Sequence, residues 1–285
     1  IFEEQVKLHE QKILELFAHK PRVFRNTEMI YSDEIGAQVA EMGYSAILTE
    51  GAKHILGWKS PNYVYVNAIN PRLKVLMRNF KLSDDISFRF SNRNWTEYPL
   101  TAEKFIGWME EMNPREEVIN LFLSYESFGE RQPEESGIFK FLEALPQKIV
   151  ESKNLRFATP SEVVEELQPI SSVHVPSPIS WADEERDLTA WLGNGMQKEA
   201  FEKLYNLRGR MVRCNDAELN KDWNYLQVSD HFYYMSTKYL SDGEVHRYFN
   251  PFDTPYEAFI NYMNVLSDFK IRLNSFVAES EIENE

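Results

Sequence analysis

Carboxylates and hydroxyls form three short polar clusters, and each cluster directly follows an apolar run. In chain order the clusters contain Asn26 and Glu28, then Glu50, then Ser124 with Glu126 and Glu130. Two carboxyl groups at one site suit acid/base or nucleophilic work, most simply the hydrolysis of a glycosidic bond. A single strand-end glutamate is more often a capping or solvated residue, so the chemistry depends on whether the fold brings the clusters together.

The apolar runs before these clusters predict the strands of an α/β fold. Residues 118–123 are apolar at five of six positions, which is typical of a parallel strand buried on both faces. Shorter runs predict strands at 23–25, 45–49, 73–77 and 155–158, with helices between them. Because parallel strands present their carboxyl ends at one edge, we expect the polar clusters to converge there. The alternative for residues 124–130 is a polar loop that only leads into the next helix.

The second part of the chain has a different pattern. Pro176 and Pro178 lie in a serine-rich stretch, after which helical periodicity dominates. Long helices are predicted over 186–207 and 255–277. The sequence therefore predicts an α/β domain over residues 1–175 and a helical domain over residues 176–285.

Composition restricts the partners. A formal charge of −14 disfavours nucleic acid and acidic membrane surfaces, and no apolar run approaches the roughly 20 residues of a membrane span. Neutral or cationic ligands are favoured, and the 14% aromatic content could supply stacking surfaces for sugars. The lone Cys214 excludes an internal disulfide and fits a cytoplasmic protein. Because the chain opens at Ile1 within a helical pattern, we expect the native N-terminus to be absent.

No sequence motif indicates a metal site or a nucleotide site. The six histidines are dispersed and form no HExxH pair, and no glycine-rich phosphate loop is present, so we predict neither a catalytic metal nor a cofactor. His231 beside Asp230 has polar and aromatic neighbours in sequence. It is either a site residue or a hydrogen-bonded structural histidine.

Several stretches together resemble a known family. Residues 23–31, 46–51, 123–130 and 229–235 are similar, in order, to conserved stretches of glycoside hydrolase family 57, in its α-amylase branch; residues 186–193 and 250–255 extend the resemblance. The resemblance implies an incomplete (β/α)7 barrel, whose N-terminal strands this chain lacks, followed by a helical domain. It also implies an α-glucan substrate and retention of anomeric configuration.

The resemblance assigns roles to individual residues. Glu28 matches the nucleophile, whereas Ser124 holds the position of the family's acid/base aspartate. The residues that match binding positions are Asn26, Glu50, Glu126, Gly129, Asp230 and His231. A serine hydroxyl cannot protonate a glycosidic oxygen at neutral pH, and loss of a positioned acid costs about 10²–10⁴ in rate.

Three functions follow from this pattern. The favoured one is an α-amylase-like protein that binds α-1,4-glucan and hydrolyses it little or not at all. The alternative is an active retaining hydrolase or 4-α-glucanotransferase that uses Glu126 or Glu130 as a substitute acid. A sugar deacetylase is more remote, because it requires a metal-binding histidine pair. The oligomeric state is left open by the sequence.

Overall fold

The computed structural model describes residues 1–238 and 250–282, which divide into two compact units, 1–181 and 182–285. The predicted boundary lay after residue 175. The first unit is an α/β structure and the second is helical, so the predicted α/β class with a following helical part is confirmed.

The sheet of the first unit has five strands in the order β1-β2-β4-β3-β5. They are β1 Val23–Arg25, β2 Ala46–Glu50, β3 Val64–Asn67, β4 Lys74–Arg78 and β5 Ser171–Val173. Strands β1, β2 and β4 are parallel neighbours, whereas β3 is antiparallel to β4 and parallel to β5. The sheet is therefore mixed, which corrects the expectation of a purely parallel arrangement.

Helices accompany the sheet on both faces. The described helices of the first unit are α1 Phe2–Phe17, α2 Asp33–Glu41, α3 Lys53–Leu56, α4 Phe80–Asp84, α5 Ala102–Glu110, α6 Ile138–Glu151 and α7 Pro160–Glu166. Val39 of α2 packs in one buried cluster with Ile47 and Val75, and Val163 of α7 packs in another with Ala46 and Leu76. Each fully buried aliphatic side chain contributes about 1.5–3 kcal/mol, so these two clusters fix the sheet between its helices.

Sequence chemistry explains where these helices begin. Ser32 and Asn79 accept hydrogen bonds from the first turns of α2 and α4, and Thr159 with Glu162 forms a capping box ahead of Pro160. Helix α4 continues directly into a π-helical turn, Asp85–Arg89. Such turns break the regular hydrogen-bond ladder and are frequent at functional sites.

Two predicted strands are wrong. Residues 118–123 are half-buried and have no strand partner among the described residues, because their backbone groups bond irregularly. The Val118 N–H donates to the Asn62 carbonyl (3.2 Å), the Asn120 carbonyl accepts from Asn79 N–H (2.8 Å), and the Phe122 N–H donates to the Ser83 hydroxyl (3.2 Å). Residues 155–158 are also unpaired among the described residues; the actual strand, β5, lies beyond α7.

The second unit is built from α8 Thr189–Leu192, α9 Gly195–Tyr205, α10 Arg208–Met211, α11 Ala217–Leu226, α12 Ser229–Tyr233 and α13 Pro255–Ile282. The predicted helix over 186–207 is wrong as a single element. Asn194 and Gln197 form a capping box that starts α9 anew. Trp223, Phe269 and Leu204 lie in the unit's core. No helix within 1–238 or 250–282 is long and apolar enough to cross a membrane.

Candidate functional site

Glu28 lies on a tight loop just beyond β1. The loop is a 3₁₀ turn, Thr27–Met29, in which Glu28 and Met29 have φ of 54° and 53°. Left-handed backbone at a residue other than glycine costs roughly 1–3 kcal/mol and persists only where surrounding contacts impose it. Asn26 supplies two such contacts, because its Oδ1 accepts from Thr27 N–H (3.0 Å) and its Nδ2 donates to the Ile30 carbonyl (3.1 Å).

Trp181 holds Glu28 from the opposite side. Its indole Nε1–H donates to Glu28 Oε2 at 2.6 Å, and its backbone N–H donates to the Glu28 carbonyl at 3.2 Å. The segment that carries Trp181 runs beside the Glu28 loop, since Tyr31 and Ile179 exchange backbone hydrogen bonds of 2.9 and 3.0 Å. Earlier in that segment, the Val175 N–H donates to the buried carboxylate of Asp33 (3.0 Å). Glu28 is therefore fixed through its side chain and its backbone.

Arg78, the last residue of β4, lies at the centre of a buried network. Its guanidinium is 3% exposed and donates Nη1–H to Glu50 Oε2 (2.9 Å), Nη2–H to Asp84 Oδ1 (2.5 Å) and Nε–H to the Phe122 carbonyl (2.8 Å). The Arg78 Cζ also lies 5.7 Å from the ring centroid of Trp181. A buried cation is tolerated when its donors are paired in this way, and the planar guanidinium can satisfy several partners at once.

Glu50 is part of this network. It ends β2 and its side chain is fully buried, so its described contact is with Arg78. Its predicted contribution to a sugar site stays a prediction. Strands β1, β2 and β4 are parallel, so Glu28, Glu50 and Arg78 all follow or end strands at the same sheet edge.

The segment that carries Ser124 reaches the same place. The Phe122 carbonyl binds Arg78, and the Phe122 ring lies 5.6 Å from that of Trp181 in an edge-on contact. Ser124 follows two residues later, half-buried, and its carbonyl accepts from Ser127 N–H (3.1 Å) at the start of the 3₁₀ turn Tyr125–Ser127. The structure thus links the Ser124 segment to Glu28 through Trp181 and Arg78, although the residues before Ser124 do not form a strand.

The residues after Ser124 form a compact turn. The Glu126 carbonyl accepts from Arg131 N–H (2.8 Å); its carboxylate is half-buried and makes no hydrogen bond or ion pair within 1–238 and 250–282. Gly129 has φ 100°, and a Cβ there would come within 3.0 Å of the Phe139 ring. Glycine is required by this backbone geometry. Glu130 is exposed on the same turn.

Asp230 and His231 lie on α12 of the helical unit and make their described contacts there. His231 Nε2 is 3.0 Å from the Tyr225 carbonyl, and its ring centroid is 5.4 Å from that of Tyr262. His231 lines a cavity of ≈ 330 Å³ together with Tyr234 and other aromatic side chains. Burial, assisted by the charge of Asp230, raises the pKa of the Tyr234 hydroxyl. Their predicted role in binding substrate stays a prediction.

Sequence reasoning missed Trp181, Arg78 and Asp84. Arg78 could have been found as a charged residue at the end of an apolar strand, but Trp181 follows a proline-rich stretch that carries no element signal. Among the described residues, no group of three or more histidine, cysteine, aspartate or glutamate side chains lies together as a metal site would require. The arrangement that remains is a fixed carboxylate at a sheet edge, connected through the Trp181 ring to a buried cation.

Comparison with known proteins identifies the family. The model of "Glycosyl hydrolase family 57" matches residues 1–176, so this chain belongs to that family. A relative from Methanocaldococcus jannaschii described as "Putative alpha-amylase" is 44% identical over 293 residues, which cover 99% of this chain and 62% of the relative. The chain thus spans about three-fifths of that protein's length.

Solved structures show the same fold at low sequence identity. A GH57-type branching enzyme from Pyrococcus horikoshii matches with a TM-score of 0.64 at 15% identity, over 93% of this chain and 64% of that one. The α-amylase AmyC from Thermotoga maritima matches with a TM-score of 0.59 at 14% identity, over 97% of this chain and 63% of that one. The shared fold extends over both units of this chain.

Proposed function

We propose that the chain is an α-amylase-like member of family 57 that binds α-1,4-glucan at the sheet edge carrying Glu28. In this proposal Glu28 is the nucleophile, and hydrolysis is weak or absent because Ser124 holds the acid position. The observation that carries the proposal is the pairing of a firmly held carboxylate with a neighbouring segment in which serine replaces the expected acid.

The names of the relatives support an α-glucan ligand. Besides the proteins above, a 4-alpha-glucanotransferase from Thermococcus litoralis matches with a TM-score of 0.51 at 15% identity, over 38% of its length. Amylase, branching enzyme and glucanotransferase are different reactions, but each involves an α-glucan. The formal charge of −14 disfavours anionic ligands and so agrees with an uncharged glucan.

The chemistry explains why the loss of one side chain should matter so much. In a retaining glycosidase the first carboxylate attacks C1 while the second protonates the leaving oxygen, and the second then activates water. Serine can do neither at neutral pH. The expected loss is about 10²–10⁴ in rate for natural substrates, whereas binding has no need of the acid.

A second candidate function is an active hydrolase or glucanotransferase with a substitute acid. The observation in its favour is Glu126, whose half-buried carboxylate lies on the turn next to Ser124 and has no partner among residues 1–238 and 250–282. Glu130 is a weaker substitute because it is exposed.

Titration calorimetry with maltoheptaose and an assay for released reducing ends test the two functions together. We expect measurable binding and no release above that of Glu28→Gln. Amylase-level release that Glu28→Gln abolishes would reject the proposal. If Glu126→Gln also abolished that release while Glu130→Gln did not, Glu126 would be the substitute acid. A folded protein that binds no maltooligosaccharide would contradict both functions.

A further inference from the structure

We propose that Trp181 is a positioning residue for Glu28, whose indole N–H orients the attacking carboxylate and favours its ionised form. This inference rests on the proposed role of Glu28 as nucleophile. It adds a residue that lies outside the 1–176 range of the family match and that no sequence pattern singled out.

The loop of Glu28 needs an external support. Glu28 and Met29 both have left-handed backbone, which would relax if the loop were free. Asn26 and the Thr49 hydroxyl bond backbone groups on the sheet side, the latter donating to the Met29 carbonyl at 3.1 Å. Trp181 bonds both the Glu28 carbonyl and its carboxylate. Within this set, Trp181 is the residue whose side chain bonds the Glu28 carboxylate.

The chemical nature of the donor determines which form of Glu28 it favours. An indole Nε1–H can only donate, and an ionised carboxylate can only accept. The 2.6 Å contact is therefore strongest when Glu28 is ionised, which is the form that attacks a sugar carbon. A tryptophan that served only to fill space would require no particular atom of Glu28 at this distance.

The support behind the donor is rigid and charged. The Trp181 ring lies against Arg78 on one side and has the Phe122 ring edge-on at 5.6 Å. Arg78 is itself fixed by Glu50, Asp84 and the Phe122 carbonyl. Arg25 also lies close to this support, with its Cζ 5.6 Å from the Phe122 ring. Trp181 therefore connects Glu28 with Phe122 of the Ser124 segment and with Arg78 of the buried ion pairs.

Trp181→Phe removes the donor and keeps an aromatic face for Arg78. The matched control is Trp108→Phe, which changes the same residue type on α5, where Trp108 packs against Phe105 and Trp95. The Glu28 carboxyl would be followed by carbon-13 NMR in protein labelled at glutamate, with its resonance assigned by loss in Glu28→Gln. This titration needs no turnover and no ligand.

We expect the midpoint of the Glu28 titration to rise by about one pH unit in Trp181→Phe and to stay unchanged in Trp108→Phe. We also expect Glu28 to react about tenfold more slowly with α-maltotriosyl fluoride at neutral pH in Trp181→Phe. In the unaltered protein, the indole N–H resonance of Trp181 should titrate with the same midpoint as Glu28, and this titration should vanish in Glu28→Gln. That measurement decides the matter even if Trp181→Phe folds poorly.

An unchanged midpoint of the Glu28 titration in folded Trp181→Phe would overturn the proposal. A Trp181 indole N–H chemical shift that does not change as Glu28 titrates would also overturn it. Failure of the proposed function is a separate result. A protein that binds no maltooligosaccharide could still show the coupled titration of Trp181 and Glu28, and a glucan-binding protein could lack that coupling.

Discussion

The carboxylate of Glu28 and the hydroxyl of Ser124 sit on two loops that share neighbours. Glu28 is bonded to Trp181, and Phe122, two residues before Ser124, contacts both Trp181 and Arg78. A positioned nucleophile beside a residue that cannot act as an acid would complete only part of a retaining reaction. In the proposed function the defect is one side chain, because Asn26 and Trp181 still hold the loop of Glu28.

A defect of one side chain can be tested by replacing it. We expect Ser124→Asp to raise the hydrolysis of maltoheptaose by about 10²–10⁴-fold, because a carboxylic acid would again be present beside the leaving oxygen. Ser124→Asn has similar size but no acid and is the matched control. Reducing-end release measures the outcome. No gain in a folded Ser124→Asp that still binds glucan would mean that other parts of the site are also incompatible with turnover.

At the scale of elements, the helical segment from Phe80 to Arg89 supports the Ser124 loop. The Ser87 hydroxyl is 3.1 Å from that of Ser127, and the Gln132 side chain donates to the Ser87 carbonyl at 2.9 Å. The π-helical turn begins at the buried Asp85, which pairs with Arg89 (2.5 Å). Burial raises the pKa of the Asp85 carboxyl, and the hydrogen bond from Arg89 offsets only part of that rise.

The raised pKa of Asp85 predicts a pH-dependent stability difference. A carboxyl whose pKa is higher in the folded state contributes stability below its unfolded pKa of about 3.9 and loses it as the pH rises through the folded value. Asn does not titrate, so the free energy of unfolding of Asp85→Asn, relative to the unaltered protein, should increase as the pH rises above about 4. Urea unfolding at several pH values measures this difference.

Asp268→Asn is the control, because Asp268 and Arg272 have the same spacing as Asp85 and Arg89 but lie on an exposed helix face. The free energy of unfolding of Asp85→Asn, relative to the unaltered protein, could instead stay constant or decrease as the pH rises. That result would contradict burial as the main cause of the raised pKa of Asp85.

The elements also show how far sequence patterns reach. Helices with strong caps, such as α2 and α7, and the strands around Phe24, Ile47 and Val75 were predictable because cap chemistry and apolar runs are local. Residues 118–124 were not, because their apolar pattern also suits an extended segment bonded to asparagine and serine side chains. The polar clusters could be located from sequence, but the contact of Trp181 with Glu28 joins residues 153 positions apart and left no local signal.

At the scale of the whole molecule, Trp181 is the last residue of the first unit. The segment that ends the α/β unit therefore supplies the hydrogen bonds that fix the proposed nucleophile. The formal charge of −14 adds a long-range repulsion for anionic ligands and little effect on neutral ones. Both properties agree with the proposed binding of an uncharged glucan.

We expect Glu28 to attack a sugar carbon even though the acid position is vacant, and a substrate that needs no acid tests this directly. In α-maltotriosyl fluoride, a Glu28 oxygen would bond to C1 as the C–F bond breaks and fluoride leaves with the electron pair. Without a base to activate water, the maltotriosyl ester should accumulate. We predict that intact-protein mass spectrometry will show one added maltotriosyl group, absent in Glu28→Gln and mapped to Glu28. A folded, maltoheptaose-binding protein that gains no such mass and releases no fluoride, or that gains it equally in Glu28→Gln, would contradict the account.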